Sequence, residues 1–359
     1  YSISNWEKGI HATLARFDDF YKGPASTKEL KFHELTEAAT KIAMLKKGDL
    51  DIYVEFPPSR VADVLGGKGI VTNNEGPANG ALYVTAMNNS TTWAEKKADD
   101  LGLPSGTFKD NSDLRLALAW AVDYDKVIDI VFGGFATQAA GHTPYGIEGI
   151  PGQPETDPRN VPPPFLFKKD LAKAKEYFAK SGVPEGTPWE LMTFPTDASK
   201  KLIVVLKESF DALGLDVTTA VMDIPAYVGK LFSAGGTGKT SEGKDGGHFD
   251  MSLGAHGFGI PSAITMMPIY QTDSPRGYYK FSDARLDGIF AEIDTLTKAD
   301  DAARRGELWN QFRDITYTEA FRIYLAQPNA IWVHRDWIND YRFSFNRTHV
   351  PGHMISKGY

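Results

Sequence analysis

The sequence has 359 residues, no cysteine and a formal net charge of −7. This length suits about two domains; the missing cysteines exclude disulfides and thiolate metal sites, and an acidic balance without Lys- or Arg-rich runs argues against nucleic acid as a partner. No stretch approaches the roughly 18 consecutive apolar residues of a membrane-spanning helix.

The first residues predict a β-hairpin. Residues 1–3 read as the end of one strand, residues 5–9 as a turn, and Ile10, Ala12 and Leu14 alternate as on one face of a second strand. Natural chains seldom begin inside a hairpin. We therefore expect a processed chain or the C-terminal part of a longer protein.

The next segments alternate between strand and helix. Residues 30–35 predict a strand, Thr36 caps a helix, and Gly48 ends that helix. Residues 81–87 predict a strand bounded by turn residues. Residues 88–111 are rich in Asn, Ser and Thr at their start and are predicted to be a loop that crosses between two domains.

The second half continues the α/β alternation, interrupted by one long Pro- and Gly-rich connection at residues 141–168. Hydrophobic periodicity and capping residues predict the remaining elements. The first predicted helix carries Leu114, Ala117, Leu118 and Ala121 on one stripe, and Asp170 caps another with Leu171, Ala174 and Phe178 inward. The other predicted helices are 124–132, 199–213, 225–232, 283–296 and 300–318, and the predicted strands are 189–194, 215–221 and 249–253.

Residues 233–240, SAGGTGKT, end like a nucleotide-binding P-loop. A P-loop needs a glycine five residues before the Gly-Lys-Thr, a strand before it and a helix after it. Here Ser233 holds the first glycine position, a helix is predicted before it, and a polar glycine-rich passage follows. The segment is therefore interpreted as a surface loop and not as a nucleotide site.

Other catalytic signatures are incomplete or missing. The segment HELTE at residues 33–37 begins like a zinc-protease motif, but Glu37 stands where the second histidine ligand is needed. The sequence contains no Gly-x-Ser-x-Gly nucleophile elbow. No catalytic residues, metal site or cofactor are therefore assigned.

Several segments together resemble the family 5 extracellular solute-binding proteins, the oligopeptide and dipeptide receptors of ABC importers. The most specific is NSDLRLALAWAVDYDKVI at residues 111–128, followed by VFGG at 131–134. The segments YSISNWEKG at 1–9, MLKKGDLDI at 44–52 and FDM at 249–251 occur in the order that the family has. The resemblance covers nearly the whole chain and begins in the middle of the family's pattern.

The resemblance implies an α/β fold of the two-lobed periplasmic-binding-protein type (type II, cluster C), with part of the first lobe absent from this chain. Residues 1–84 and 326–359 would belong to lobe one, and residues 88–325 would form lobe two. It also implies a periplasmic or extracytoplasmic location and a solute that is captured in an interlobe cleft and delivered to the ABC permease subunits in the membrane.

Ligand contacts in such a fold come from strand ends and loops that face the cleft. On this basis Tyr83 and Asn88 are candidates at the first crossing, and Tyr324 and Gln327 are candidates at the return crossing. The other candidates are Tyr145 in the Pro-rich connection and Gly254, His256 and Phe258 in a predicted loop at 254–258. Tyrosines at such positions are more often half-buried strand aromatics, which is the alternative reading for Tyr83 and Tyr324.

Peptide-binding members of the family place an aspartate just after the strand at 249–253, where it receives the α-amino group of the ligand. This sequence has Gly254, Ala255 and His256 there. An ammonium group enclosed without a carboxylate would cost several kcal/mol, on the order expected for an unpaired buried charge. Blocked peptides, sugars, opine-like compounds and other polar organic solutes therefore stay open beside ordinary peptides.

Three classes of function remain after this reading. The favoured one is a non-catalytic solute-binding subunit that binds a peptide or another small polar organic molecule. The second is an enzyme that uses His256 with an acid elsewhere in the chain. The third is a receptor or scaffold that uses the same fold without transport.

Overall fold

The structure is a computed structural model that describes residues 1–35, 37–54, 56–74, 81–142, 166–235, 249–257, 267–274, 277, 279–341 and 355–358. The chain divides into two compact units. The first consists of Tyr1–Asn79 and Asn329–Tyr359, and the second is Gly80–Pro328. The predicted boundaries at 84 and 326 lie inside two strands, at residues 81–87 and 323–328. Both strands belong to the second unit, because they pair with each other within one sheet.

Strands and helices alternate along most of the described chain. The strands are β1 (Ser2–Glu7), β2 (His11–Ala15), β3 (Glu29–His33), β4 (Ile52–Tyr53), β5 (Ile70–Asn74), β6 (Ala81–Met87), β7 (Ala136–Gln138), β8 (Pro188–Thr193), β9 (Asp216–Val221), β10 (Met251–Gly257), β11 (Ile323–Pro328), β12 (Ile331–Arg335), β13 (Ile338–Asn339) and β14 (Ser356–Lys357). The helices are α1 (Ala38–Lys47), α2 (Thr91–Asp100), α3 (Ser112–Ala121), α4 (Tyr124–Lys126), α5 (Leu171–Ser181), α6 (Asp197–Leu213), α7 (Ile224–Gly235), α8 (Ala284–Ile293) and α9 (Ala302–Thr318).

The first unit contains small antiparallel sheets. Strands β1, β2 and β3 form one sheet in that order, and β12 lies between β4 and β5 in another. The predicted hairpin is confirmed, but its turn is shorter than predicted because residues 5–7 remain in β1 after a shift of register. Gly9 occupies the turn with φ of 80°, a backbone conformation that glycine adopts without steric cost.

The second unit is built on a six-stranded sheet in the order β7-β11-β6-β10-β8-β9. Its two outer strands on one side, β8 and β9, are parallel, whereas β6 is antiparallel to both β10 and β11. Helix α3 packs against α5 and α6, and their apolar faces enclose a buried core with the sheet. The central members of this core include Trp93, Leu118, Trp189, Phe210 and Leu253.

The predicted loop at residues 88–111 is wrong in its first half, where helix α2 lies. Ser90 is the N-cap, and its hydroxyl accepts a hydrogen bond from the backbone N–H of Trp93 at 3.2 Å. Trp93, Ala94 and Ala98 are buried on one side of the helix. The cluster of Asn, Ser and Thr therefore starts a helix and does not mark a crossing between the units.

No helix within the described residues is long and apolar enough to cross a membrane. The P-loop interpretation can be examined only in its first part, since residues 236–248 lie outside the described residues. Ser233, at the first glycine position of the motif, lies inside α7. A helix at this point is incompatible with the strand that a P-loop requires.

Candidate functional site

Three neighbouring strands of the second unit carry most of the predicted site residues. Strand β6 lies between β10 and β11, and its register places Tyr83 opposite Ala255, and Leu82 opposite His256. Tyr324 of β11 lies opposite Val84 on the other side of β6. The sheet thus brings together residues that are up to about 240 positions apart in the sequence, because antiparallel neighbours align residue by residue. Tyr145 and Phe258 lie outside the described residues.

Asn88 has a structural role in the described contacts. Its side chain is 0% exposed, and its Nδ2 donates to the carbonyl of Phe249 at 3.1 Å. Its Oδ1 accepts from the N–H of Ser90 at 3.0 Å, and its own N–H donates to the carbonyl of Asp250 at 2.9 Å. These bonds attach the start of α2 to the start of β10, so the prediction that Asn88 contacts a ligand is not carried forward.

Residues 254–257 belong to strand β10, which corrects the predicted loop. The strand continues past Leu253 because β6 pairs with it as far as Gly257, opposite Ala81. Gly254 is buried, and a Cβ atom at this position would lie 2.9 Å from the hydroxyl oxygen of Tyr227. The Tyr227 hydroxyl donates to the carbonyl of Leu253 at 3.2 Å. Gly254 therefore makes room for a tyrosine of the same unit.

Tyr83 and Gln327 also face the protein interior. The ring of Tyr83 is half-buried and its centroid lies 5.3 Å from that of Phe132, within the apolar core. Gln327 is 0% exposed. The packing of Tyr83 is that of a half-buried strand aromatic, the alternative that the sequence offered, and it does not test contact with a ligand.

Tyr324 takes part in a polar cluster that includes a second tyrosine. Its hydroxyl lies 2.5 Å from the hydroxyl of Tyr270, and either oxygen can be the donor. Burial, with Tyr270 as the next cause, raises the pKa of Tyr324 well above its ordinary value. The Tyr324 hydroxyl is therefore protonated at neutral pH and acts as a hydrogen-bonding group.

Arg322 belongs to this cluster and was not predicted from the sequence. Its side chain is only 3% exposed, and its guanidinium carbon lies 5.2 and 4.7 Å from the ring centroids of Tyr270 and Tyr279. Cation–π contacts of this kind stabilise a charge that is removed from water. The Tyr279 hydroxyl lies 2.7 Å from the hydroxyl of Ser252 on β10, which connects the cluster to the central strands.

A small pocket opens beside Tyr324, with about the space that one water molecule occupies. The polar and charged residues that line it are Gln138, Arg313, Thr316, Tyr317, Arg322 and Tyr324. His142 is buried close to the same cluster and stacks on Trp309 at 5.3 Å between ring centroids. Burial, followed by the charges of Arg322 and Arg313, lowers the pKa of His142 to about 3, so its ring is neutral.

The start of β10 is fixed by a buried carboxylate. Asp250 Oδ1 accepts from Trp93 Nε1 at 2.9 Å, and Oδ2 accepts from Lys97 Nζ at 2.8 Å and from the N–H of Glu190 at 2.7 Å. These contacts join α2, β8 and β10. They position the strand that carries Gly254 and His256.

Within the described ranges, no group of three or more His, Asp and Glu side chains is arranged to hold a metal ion. The polar groups that do converge are hydroxyls, amides and guanidiniums. Such groups bind by hydrogen bonding and charge, which suits recognition of a polar molecule.

The fold identifies the structural class to which the protein belongs. Two α/β units with separate sheets are the architecture of the type II periplasmic binding proteins. The binding protein DppA from Helicobacter pylori, solved in complex with the peptide STSA, is similar with a TM-score of 0.78 and 18% identity over 99% of this chain and 62% of that chain. AgaA from A. tumefaciens R10, solved with agropinic acid, has a TM-score of 0.76 and 18% identity, over 99% and 66% of the two chains.

The sequence comparison then gives the family. Residues 1–278 of the 359 match the bacterial extracellular solute-binding proteins, family 5 middle, and the chain belongs to this family. The glutathione-binding protein GsiB of Pectobacterium atrosepticum is 25% identical over 229 residues, which are 62% of this chain and 40% of GsiB. The chain thus spans about two fifths of the length of this relative. The family's proteins are binding proteins found outside the cytoplasm.

Proposed function

We propose that this chain is part of the substrate-binding component of an ABC importer, which captures a peptide or another small polar organic solute and delivers it to the permease subunits. The family match over residues 1–278 carries the proposal. GsiB is named for binding glutathione, and DppA was solved with a peptide, so related chains bind small peptide-like molecules. The protein would act outside the cytoplasm and without catalysis.

Capture in an interlobe cleft is the mode of binding that the family resemblance implies, and it is part of the proposal. The ligand contacts that we carry forward are His256 and Tyr324 on two of the central strands, together with Tyr145 and Phe258. Tyr83 and Gln327 contribute by supporting these strands from the interior.

The chemistry of β10 narrows the class of solute. Residues 254–257 contain no carboxylate. A positively charged α-amino group that is removed from water needs a carboxylate partner or costs several kcal/mol, on the order measured for unpaired buried charges. We therefore expect solutes whose amino group is blocked or absent. The agropinic acid held by AgaA illustrates that this fold accepts ligands other than free peptides.

Isothermal titration calorimetry of the full-length protein tests the proposal. The titrants are a set of di- and tripeptides, the same peptides with N-acetyl groups, and a set of oligosaccharides. We expect saturable one-to-one heat, and we expect the N-acetyl peptides to bind at least as tightly as the same peptides with a free amino group. A tenfold or greater loss on acetylation would contradict the argument from β10, and no heat with any titrant would contradict the function.

A pair of histidine variants tests the site within the same titration. His256→Ala is expected to weaken binding at least tenfold, equivalent to about 1.4 kcal/mol. The matched control is His33→Ala on the exposed face of β3 in the first unit, which should bind as the wild type does. Equal affinities for all three proteins would remove His256 from the site.

A further inference from the structure

The sheet of β1, β2 and β3 in the first unit has an apolar face and a polar face. Residues that pair directly across antiparallel strands lie on the same face, and successive residues of a strand alternate between faces. The registers therefore place two rows of three residues on one side, which we call the apolar face: Trp6, Ala12 and Phe32, and Ile3, Leu14 and Leu30. The opposite side carries Glu7, His11 and His33 in a row.

The apolar face is the more exposed side of this sheet. Ile3 and Trp6 are 70% and 69% exposed, and Phe32 is 46% exposed. On the opposite side Thr13 is buried, and the His11 side chain is only 13% exposed. Almost half of the exposed large hydrophobic side chains in the described part of the chain belong to these three strands and their connections. The exposed apolar surface is therefore concentrated at this sheet.

A face of this composition is typical of a surface that binds another layer of polypeptide. A sheet gains stability by burying its hydrophobic side against a second element, and a small sheet that leaves this side in water is at best marginally stable. Tryptophan and phenylalanine supply the largest apolar areas for such packing. Contiguous exposed apolar residues mark interaction sites more often than single scattered ones do. Trp6 and Phe32, in one row across the sheet, therefore indicate a docking surface.

We propose that the apolar face is the docking surface for the part of the full-length protein that lies outside residues 1–359. The lengths of the similar structures support this occupant. This chain is matched over 99% of its residues by DppA and by AgaA, but it covers only 62% and 66% of those chains. Proteins of this fold thus contain further polypeptide that can cover the face. The inference concerns the first unit alone and does not depend on the proposed transport function.

The chemistry of the face defines the segment that packs on it. The two rows contain no charged or polar side chain. A charged group placed against them would lose its water without gaining a partner, which is unfavourable. The docking segment therefore presents an apolar surface, either the apolar stripe of a helix or the apolar side of a second sheet.

Cysteine labelling of the full-length protein tests this inference. Residues 1–359 contain no cysteine, so a single introduced cysteine can be followed through its labelled peptide by mass spectrometry. Ile3→Cys lies on the apolar face, and the matched control Lys31→Cys lies on the opposite side of the sheet at an exposed position of β3. We expect iodoacetamide to label Ile3→Cys on the order of ten times more slowly, because a covered side chain reacts only when the structure opens. Equal rates for the two variants would overturn the proposal.

Dilution separates this occupant from a second copy of the protein. Coverage by the protein's own polypeptide is intramolecular, so the slow labelling of Ile3→Cys should not depend on protein concentration. Labelling that becomes as fast as that of Lys31→Cys on dilution would assign the face to self-association and overturn the proposal.

Hydroxyl-radical footprinting of the wild type provides a second measurement that needs no substitution. The oxidation of Trp6 and Phe32 is quantified by mass spectrometry in the native full-length protein and in the same protein unfolded in urea. We expect both side chains to be oxidised several times more slowly in the native protein. Similar rates in the two states would show that the face is in contact with water and would overturn the proposal, whether or not the cysteine variants fold.

Discussion

Asp250 joins three elements of the second unit, and its removal should destabilise that unit strongly. The carboxylate accepts hydrogen bonds from Trp93, Lys97 and the backbone of Glu190, at 2.9, 2.8 and 2.7 Å. The side chains of Asp250 and Lys97 are each 12% exposed. Replacement of Asp250 by alanine leaves a mostly buried ammonium and two N–H donors without their acceptor.

The expected cost can be estimated from these contacts. Removal of one partner of a buried ion pair typically costs about 3–5 kcal/mol. Lys97 also donates to the carbonyl of Pro188 at 2.7 Å, so its charge keeps one partner. We therefore expect a loss of unfolding free energy at the lower end of this range, about 3 kcal/mol. For a unit of about 250 residues, this corresponds to a fall of about 6 °C in unfolding temperature.

Differential scanning calorimetry of Asp250→Ala measures this shift. The matched control is Asp100→Ala, which removes an aspartate that pairs with Lys96 on the exposed side of α2. The control should lie within about 1 °C of the wild type. The double variant Asp250→Ala with Lys97→Met should recover part of the loss, because the unpaired charge is gone. A fall for Asp250→Ala no larger than that of the control would refute this reasoning.

Two further predictions concern packing and pH. Gly254→Ala should lower the unfolding free energy by about 1–3 kcal/mol, because the added Cβ displaces the Tyr227 hydroxyl from the carbonyl of Leu253. In chemical denaturation, the double variant with Tyr227→Phe should recover part of this loss. No recovery would contradict the contact between position 254 and the Tyr227 hydroxyl. The hydrogen bond from Arg285 lowers the pKa of Asp283, so this carboxylate stabilises the fold above the unfolded-state pKa of about 3.9, and the contribution is lost as the pH falls through the lower folded-state pKa. Asp283→Asn should therefore be less stable than the wild type at pH 7, and the difference in unfolding free energy should be smaller at pH 2. An equal difference at both pH values would contradict the assignment.

Local signals in the sequence were sufficient to predict most of the described helices. Asp170 accepts from the N–H of Lys173 as the N-cap of α5, and Asn111 caps α3 in the same way. Gly48 ends α1 in the left-handed conformation with φ of 91°. Capping and periodicity act within a few residues, so a single sequence contains the information that they need.

The errors arose where a distant partner decides the local structure. The glycines of residues 254–257 suggested a loop, but pairing with β6 keeps them in a strand. The polar residues before Trp93 suggested a crossing, but burial of that ring against Trp189 and Phe108 favours a helix. In both places tertiary contacts outweighed local propensity.

The sequence predicted β6 and the first half of β10 as strands, but it predicted neither β11 nor the arginine of the polar cluster. The sequence pointed to Tyr324, which lies in the polar cluster, but not to Arg322 two residues before it. A single arginine within the apolar run from Phe321 to Ala326 is the signal that could have found it. Arg313 and Tyr270 carry no such signal, because only tertiary packing brings these residues close to Tyr324.

The most direct test of a non-catalytic solute-binding role is mass spectrometry of the ligand that the protein retains. The full-length protein is incubated with the mixed peptides, N-acetyl peptides and oligosaccharides, separated from free solute, and denatured to release what it holds. The proposed function predicts one solute per protein chain, chemically unchanged and in constant amount with time. Release of a converted product that accumulates during incubation would contradict this function and would indicate an enzyme.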